Sequence, residues 1–215
     1  MPNYSHQTGL FDPVRARPVI LMGAGAIGSY IALGLAKSGV PNITVYDYDT
    51  VASHNVPMSL YRERDVGKSK VLVLRDIVYD MTGVQLTVIN KPYTTEPLRR
   101  CSVIMSVDDM DYGRIPIWAT VKTELSIDIM IDTRVGAGYG EVYSIVPHVA
   151  ADIENYDKTL FTNAERTLRT CGNHGVAFIS MALASSAVTS LCHFWQTGHH
   201  HWQRAFRYDR LEQVL

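Results

Sequence analysis

A glycine-rich turn near the start of the chain has the residue types and spacing of a phosphate-binding site. The apolar run VILM at 19–22 leads into GAGAIG at 23–28, and a helical pattern follows directly. The first glycine of such a turn permits a tight bend, the second lets a phosphate approach the backbone, and the third lets helix and strand pack closely. Backbone N–H groups at the helix start attract the anion. The sequence therefore predicts a nucleotide site formed by Gly23, Gly25, Ala26, Ile27 and Gly28.

An acidic residue follows this turn at the distance expected for ribose recognition. Asp47 ends the next predicted strand, in the stretch YDYD at 46–49, and a spacing of about 20 residues is typical of such an acid. A carboxylate at this position can accept hydrogen bonds from the ribose hydroxyls. The turn and the acid are shared by proteins that bind NAD(P) or FAD and by proteins that consume ATP, so together they predict a nucleotide without selecting one.

A second, cationic motif favours a polyphosphate. GKSK at 67–70 lies at a predicted helix start, where lysine is unfavourable because it meets the positive end of the helix dipole. A bound polyphosphate would offset this cost. A hydride-transfer enzyme has no need of such a cluster, so the motif favours ATP over NAD(P) or FAD. An ordinary solvated basic surface is the alternative interpretation of the same lysines.

Alternating strands and helices position these motifs. Strands are predicted at 18–22, 42–49, 84–89, 101–107, 126–132 and 140–146. Helices are predicted at 27–38, 67–81 and 174–195, and a further helix follows DDMD and runs through Trp118 to about Lys122. This alternation implies right-handed crossovers and a parallel sheet covered on both faces. We therefore predict an α/β protein with a doubly wound, Rossmann-like sheet, mostly parallel with an antiparallel portion at 140–146, plus C-terminal helices. ENYDKTLF at 154–161 is predicted to be a loop, and an amphipathic tail follows the last helix.

The composition of the chain indicates which binding partners and which cellular compartment to expect. The chain has 215 residues, a net charge of -1 and three cysteines, which predicts no nucleic-acid partner, no disulfide framework and no structural zinc site. The polar N-terminus does not resemble a signal peptide, and the expected location is cytoplasmic. The uncharged stretch 170–203 contains the predicted helix 174–195. Its serines favour burial in the protein or in a dimer over a membrane span.

Several motifs together resemble the ThiF/MoeB/HesA family of ubiquitin-activating-type adenylyltransferases. They are GAGAIG, YDYDTV at 46–51, HN at 54–55, DVGKSK at 65–70 and SVDDMDYGR at 106–114. IDTRVG, YDKTLF and CGNHG are similar to short stand-alone bacterial and phage ThiF-like proteins. The resemblance covers about residues 11–195 and implies a single ThiF-like adenylation domain over 1–215. Its parts would be a tail at 1–17, a nucleotide-binding core at 18–148, and a crossover loop with C-terminal helices at 149–215.

The resemblance implies Mg²⁺- and ATP-dependent adenylation of a carboxylate, with release of pyrophosphate. The acceptor would be a protein or peptide, such as the C-terminus of a ubiquitin-like protein, and the enzyme would be a homodimer. The residues implied at the nucleotide and the reacting centre are Asp47, Asp49, Asn55 and Lys70. One of Asp108 and Asp109 would bind magnesium, and Asp109 is favoured because it precedes Arg114 by the five residues of the MoeB-like motif.

Two further residues are site candidates. Arg134 lies at the end of a predicted strand on the expected ligand side. Cys171 precedes Gly172 at a predicted helix start, where a thiolate is favoured, and in several family members a crossover-loop cysteine accepts the acyl group as a thioester. The alternative for Cys171 is an ordinary half-buried cysteine. The residues assigned to the core are Cys101, Cys192, His193 and Trp195.

The chain also departs from the family pattern. Met58 and Ser59 stand where MoeB-like members carry arginine and glutamine. The missing arginine could be replaced by Arg62, by Arg64, or by Arg15 or Arg17 of a partner subunit, or could have no replacement. The acceptor, and the fate of the adenylate as thioester, thiocarboxylate or amide, stay open. The alternative functions are an NAD(P)- or FAD-dependent oxidoreductase and a catalytically silent, nucleotide-binding partner subunit.

Overall fold

The computed structural model describes residues 3–94, 96–136, 139–165, 177–207 and 212–214. Its strands are β1 Val19–Met22, β2 Ile43–Tyr46, β3 Thr87–Ile89, β4 Ser102–Met105, β5 Met130–Gly136, β6 Tyr139–Ile145, β7 Gln203–Arg207 and β8 Glu212–Val214. They form one sheet in the order β3-β2-β1-β4-β5-β6-β7-β8. The half from β3 to β5 is parallel, and the half from β5 to β8 is antiparallel.

The parallel strands reach their carboxyl ends in one row across the sheet. Met22 of β1 is in register with Tyr46 on one side and with Met105 on the other. Tyr46 continues the row to Ile89, and Met105 continues it to Asp132. The chain leaves β1 toward β2 and later crosses back to place β4 on the opposite side of β1, so the winding direction reverses there. Ligands of open α/β sheets bind at such a reversal.

In the residues that the structure describes, five α-helices cover the two faces of the sheet. They are α1 Ala26–Lys37, α2 Lys70–Thr82, α3 Ile115–Val121, α4 Ala150–Asp157 and α5 Ala177–Thr197. One buried cluster joins the apolar faces of α1, α2 and α5 to the sheet, and a second joins α3 and α4 to the opposite face. The predicted doubly wound α/β fold, with an antiparallel portion and C-terminal helices, is therefore confirmed.

The long helix α5 packs closely against α1 and β6. A Cβ atom added to Gly34 of α1 would lie 3.1 Å from the Val188 side chain, and one added to Gly140 of β6 would lie 2.7 Å from Leu183. The helix is long and apolar enough to cross a bilayer, with a mean hydropathy of 1.5. Its buried face confirms the predicted core helix, while Phe178 and Met181 on the same helix are exposed.

Three strands differ from the prediction by three residues or more at one end. The strand predicted at 84–89 is shorter and begins at Thr87. The strand predicted at 42–49 ends at Tyr46, because the carboxylate of Asp47 accepts hydrogen bonds from backbone groups and turns the chain. The strand predicted at 126–132 begins at Met130. Just before it, the side chain of Asp128 accepts hydrogen bonds from Ser102 Oγ and from Ile129 N.

The segments around the last helix also differ from the prediction. ENYDKTLF was predicted as a loop, which is wrong for its first half, since α4 runs through Asp157. Asp152 and Tyr156, four residues apart, face inward on this helix. Asp152 accepts a hydrogen bond from Val146 N at 2.8 Å, and the ring of Tyr156 packs against that of Trp118 with their centroids 4.7 Å apart. The tail after α5 forms β7 and β8, which extend the sheet beyond β6.

Candidate nucleotide-binding site

The turn between β1 and α1 requires glycine at two positions and is open at a third. Gly23 has φ +97°, and a Cβ atom there would lie 2.4 Å from the carbonyl oxygen of Ser106. A Cβ atom on Gly28 would lie 2.1 Å from the carbonyl oxygen of Gly23. Around Gly25 nothing lies within 4 Å of such an atom. Residues 23–28, called the glycine turn below, therefore pack tightly on the protein side and leave room for a ligand at Gly25.

Asp47 joins the glycine turn to the end of β2. Its carboxylate accepts a hydrogen bond from Ala24 N at 2.7 Å and another from Asp49 N at 2.8 Å. Burial raises the pKa of Asp47 above its ordinary value, while these two hydrogen bonds and the charge of Lys70 act in the opposite direction. A half-buried carboxylate at this point has lone pairs left for the hydroxyls of a ribose.

Lys70 opens α2 beside the same strand end. Its side chain is buried, and Nζ lies 2.7 Å from Asp49 Oδ2. The residue before it, Ser69, has a buried hydroxyl without a hydrogen-bond partner in the described part of the chain. The start of α2 therefore presents an ammonium group and an unused hydroxyl donor.

Tyr61 ties Lys70 to the glycine turn, a link that the sequence analysis missed. Its buried hydroxyl lies 2.6 Å from the carbonyl oxygen of Ala24 and 3.3 Å from that of Lys70. Burial and the carboxylates of Asp47 and Asp49 raise the pKa of Tyr61, so the phenol keeps its proton and donates. A single tyrosine in a polar stretch belongs to no motif of recognisable spacing, so its contacts could not be predicted from the sequence. It lies between the two motifs only in the folded chain.

Asn55 and its neighbours form the loop that leads toward α2. Asn55 Oδ1 accepts from Ala52 N at 2.9 Å, which leaves the amide N–H groups for a ligand. Ser59 Oγ donates to the carbonyl oxygen of Asn55 at 2.6 Å and so stabilises this loop. Met58, where the family carries arginine, is half-buried and supplies no positive charge.

The acidic pair after β4 lies next to the glycine turn, because Ser106 and Val107 immediately before it line the space at Gly23. Asp108 and Asp109 are both exposed. Asp109 caps the π-helical turn Met110–Arg114 by accepting from Tyr112 N at 2.7 Å. It also accepts from Asn163 Nδ2 at 3.2 Å, so the chain that follows α4 reaches this carboxylate.

No group of three or more His, Cys, Asp or Glu residues suited to a metal ion occurs in the ranges that the structure describes. Magnesium commonly takes only one or two carboxylates and completes its shell with phosphate oxygens and water. The exposed pair Asp108 and Asp109 suits that mode of binding, and a closed protein cage for the ion is not needed.

Arg114 and Arg134 share one buried carboxylate, that of Asp132. Arg114 forms a buried ion pair with Asp132, and burial lowers the pKa of Arg114 to about 10. Arg134 Nε donates to Asp132 at 2.7 Å, and its terminal nitrogens donate to backbone and side-chain oxygens of Thr159 at 2.9 Å. Tyr156 donates to the same carboxylate at 2.9 Å. This network was not predicted from the sequence, although Asp132 and Arg134 stand two apart on one strand and share a face.

The cysteines divide into two buried ones and one outside the described residues. Cys101 and Cys192 are buried, and burial raises the pKa of each thiol to about 12, as expected of core residues. Trp195 is also buried, whereas His193 is only half-buried. Cys171 lies outside the residues that the structure describes, so its predicted role stays a prediction.

The sequence of this chain is similar to those of known proteins. The model described as "ThiF family" matches residues 11–213. Ubiquitin-like modifier-activating enzyme 5 of Caenorhabditis elegans is 31% identical over 86 residues, which are 40% of this chain and 20% of the relative. The NEDD8-activating enzyme E1 catalytic subunit of the same organism is 37% identical over 82 residues, 37% of this chain and 19% of the relative. The chain thus spans about a fifth of the length of these curated relatives.

Solved structures show the same fold. The structure of Escherichia coli MccB with ATP superposes with a TM-score of 0.77 at 16% identity, covering 94% of this chain and 64% of MccB. PaaA superposes with a TM-score of 0.73 at 17% identity, covering 94% of this chain and 64% of PaaA.

Proposed function

Because the chain belongs to the ThiF family, we propose that it adenylates a carboxylate with Mg-ATP and releases pyrophosphate. The observation that carries this proposal is the link through Tyr61, whose hydroxyl contacts the backbone of both Ala24 and Lys70. A turn suited to phosphate and a buried ammonium group are thereby held as one unit. A site that binds only the adenosine part of a redox cofactor has no use for the buried ammonium group.

The proposed reaction joins two anions. A carboxylate oxygen of the acceptor attacks the α-phosphorus of ATP, and the bond from that phosphorus to the bridging oxygen breaks. Pyrophosphate leaves with the bonding electron pair. Positioning and neutralisation of charge therefore matter more than proton transfer. Magnesium, when bound, would neutralise phosphate charge and orient the leaving group.

The described residues suit separate tasks in this reaction. N–H groups of the glycine turn and Lys70 Nζ would bind the phosphates, and the amide of Asn55 would donate to them. Asp47 would accept from the ribose hydroxyls. Asp109 would hold magnesium, with Asp108 as the neighbouring alternative. Apart from Asn55, which lies in the loop between β2 and α2, these groups lie at or just beyond the carboxyl ends of β1, β2 and β4 or at the start of a helix.

The acceptor is proposed to be the C-terminus of a protein or peptide. Two relatives are named for activating ubiquitin-like modifiers or NEDD8, and MccB was solved with MccA and AMPCPP. Arg134 lies one strand beyond the acidic pair, and we propose that it orders the acceptor side of the site through its contacts with Thr159. Cys171 would act only after adenylation, by accepting the acyl group as a thioester.

A catalytically silent partner subunit is the second candidate function. The half-buried Met58 favours it, because no positive charge replaces the family arginine at this position. An oxidoreductase is less well supported, since the cationic start of α2 has no task in hydride transfer.

We further propose a homodimer, in which the exposed Met181 of α5 would contact the partner subunit. A cytoplasmic location fits the free, buried cysteines at 101 and 192. One adenylation domain over 1–215 is proposed from the family match.

ATP–pyrophosphate exchange tests the proposed reaction. The product of a neighbouring gene is the first acceptor to try, provided that it is a peptide precursor or a short protein ending in Gly-Gly. We expect exchange that requires both magnesium and the free C-terminal carboxylate, so the same acceptor with an amidated C-terminus is the control. Tight Mg-ATP binding without exchange for any acceptor would favour the silent partner subunit.

A further inference from the structure

Asp49 and Lys70 form an ion pair in which the two groups differ in exposure. Nζ of Lys70 lies 2.7 Å from Asp49 Oδ2, and the side chains are 10% and 52% exposed, respectively. The ammonium group is therefore buried while the carboxylate faces solvent. The resemblance implied that Asp49 contacts the nucleotide, but its contact in the structure is with the lysine.

The position of Lys70 makes a carboxylate partner necessary. The residue opens α2, where the positive end of the helix dipole disfavours a cation. Burial adds a desolvation penalty for the charged form. A lysine side chain also loses rotamer entropy when it is held in one place. A carboxylate already in contact offsets all three effects before a ligand arrives.

The backbone around the pair is held independently of the two side chains. Lys70 N donates to Asp49 O at 3.0 Å, and Val51 N donates to Lys68 O at 2.8 Å. Gly67 N donates to Val51 O at 2.8 Å, and Thr50 and Ser69 form an antiparallel bridge. A change confined to the Asp49 carboxylate should therefore leave this frame folded.

We infer that Asp49 is a positioning residue for Lys70: it holds the ammonium group in place for the polyphosphate and is not itself a nucleotide ligand. This inference rests on the proposed function, because it takes Lys70 to bind phosphate. It requires that the effect of Asp49 on nucleotide binding pass through Lys70. A ligand without phosphates should then be insensitive to Asp49.

A double-mutant cycle on binding tests this dependence without an identified acceptor. Mg-ATP and adenosine are titrated calorimetrically into the wild type, Asp49→Asn, Lys70→Ala and the double variant. Asp49→Asn is expected to weaken Mg-ATP binding about ten-fold, the size of one charge-assisted contact, and to leave adenosine affinity unchanged. Lys70→Ala added to Asp49→Asn should weaken Mg-ATP binding far less than it does alone. Asp49→Glu should restore part of the loss, and Asp76→Asn, an exposed carboxylate on the same helix, should change neither affinity.

The opposing outcomes are distinct. Additive effects of the two substitutions would overturn the inference, because Asp49 would then act on the nucleotide or metal independently. Tighter Mg-ATP binding by Asp49→Asn would overturn it as well, since the carboxylate would only compete for the lysine. Loss of adenosine affinity would point to a structural role. Failure of the proposed function would appear elsewhere, as a wild type that does not bind Mg-ATP or a Lys70→Ala variant that binds it normally.

Discussion

The N–H group of Ala24 donates a hydrogen bond to the carboxylate of Asp47 at 2.7 Å. This bond joins the glycine turn to the end of β2, two segments that are distant in sequence. Its partner bond from Asp49 N uses the other carboxylate oxygen. The ribose-binding acid of the proposed site is therefore also the residue that holds the phosphate-binding turn against the sheet.

Asp47→Asn should lower the affinity for both Mg-ATP and adenosine about ten- to a hundred-fold. The variant loses a charged acceptor for the ribose, and its amide group can satisfy only one of the two backbone donors. Calorimetric titration with each ligand measures the effect, with Asp80→Asn on the exposed face of α2 as the control. A variant that loses Mg-ATP but keeps adenosine would place Asp47 at the phosphates instead.

Two glycines of the same turn should respond differently to alanine. Gly28→Ala places a methyl group 2.1 Å from a backbone oxygen, so we expect a loss of about 3 kcal/mol or more in the free energy of unfolding. Gly25→Ala meets nothing within 4 Å and should keep its stability to within about 1 kcal/mol. Its affinity for Mg-ATP should nevertheless fall by about ten-fold or more, because the methyl group fills the space through which a phosphate approaches the backbone. Urea unfolding and calorimetry separate the two effects, and wild-type affinity in Gly25→Ala would contradict the placement of the phosphates.

Asp109→Asn should raise the magnesium concentration needed for nucleotide binding by about ten-fold or more, because a charged ligand of the ion is lost. Its amide oxygen can still accept from Tyr112 N, so the turn after β4 should persist. Circular dichroism checks the fold, and a magnesium titration at fixed ATP measures the effect. If Asp108→Asn shows the effect and Asp109→Asn does not, the metal ligand is the neighbouring residue. If neither variant changes the titration, the acidic pair does not hold the ion.

Asp65, which lies in the short helical turn before α2, should make the free energy of unfolding depend on pH. The hydrogen bond from Arg62 lowers the pKa of this buried carboxyl below its ordinary value of 3.8. A lowered pKa in the folded state means that the stabilisation is present above 3.8 and is lost as the pH falls through the lower, folded value. Asp65→Asn should therefore be less stable by about 1–2 kcal/mol at pH 7, with the difference shrinking in acid. Urea unfolding at several pH values measures this, and a difference that is the same at pH 7 and in strong acid would contradict it. Asp76→Asn, in an exposed pair, should change little at any pH.

The parts of the site that follow from local spacing could be predicted from the sequence. The glycine turn and the helix after it occupy consecutive residues, and Asp47 and Lys70 stand at element ends that hydrophobic patterning marks. The strand bounds near Asp47 and Asp128 could not be predicted as well, because hydrogen bonds from backbone N–H groups to these two side chains leave no periodic pattern in the sequence.

The contacts that cross between elements could not be predicted. Tyr61 reaches Ala24 across 37 positions, and Tyr156 reaches Asp132 across 24. No periodic pattern records such a pairing. The strands β7 and β8 were missed for a related reason: β7 is half-buried along most of its length, so it lacks the alternation of buried and exposed residues that identifies a strand.

If this chain binds ATP through the glycine turn and Lys70, a ligand titration followed by thermal unfolding will show it. The melting temperature of the wild type and of Lys70→Ala is followed with Mg-ATP, NADH and FAD, since a ligand that binds only the folded state raises it. We expect that Mg-ATP stabilises the wild type, that Lys70→Ala loses most of that stabilisation, and that NADH and FAD have no effect. Stabilisation by NADH or FAD with none by Mg-ATP, or equal stabilisation of both proteins by Mg-ATP, would contradict this expectation.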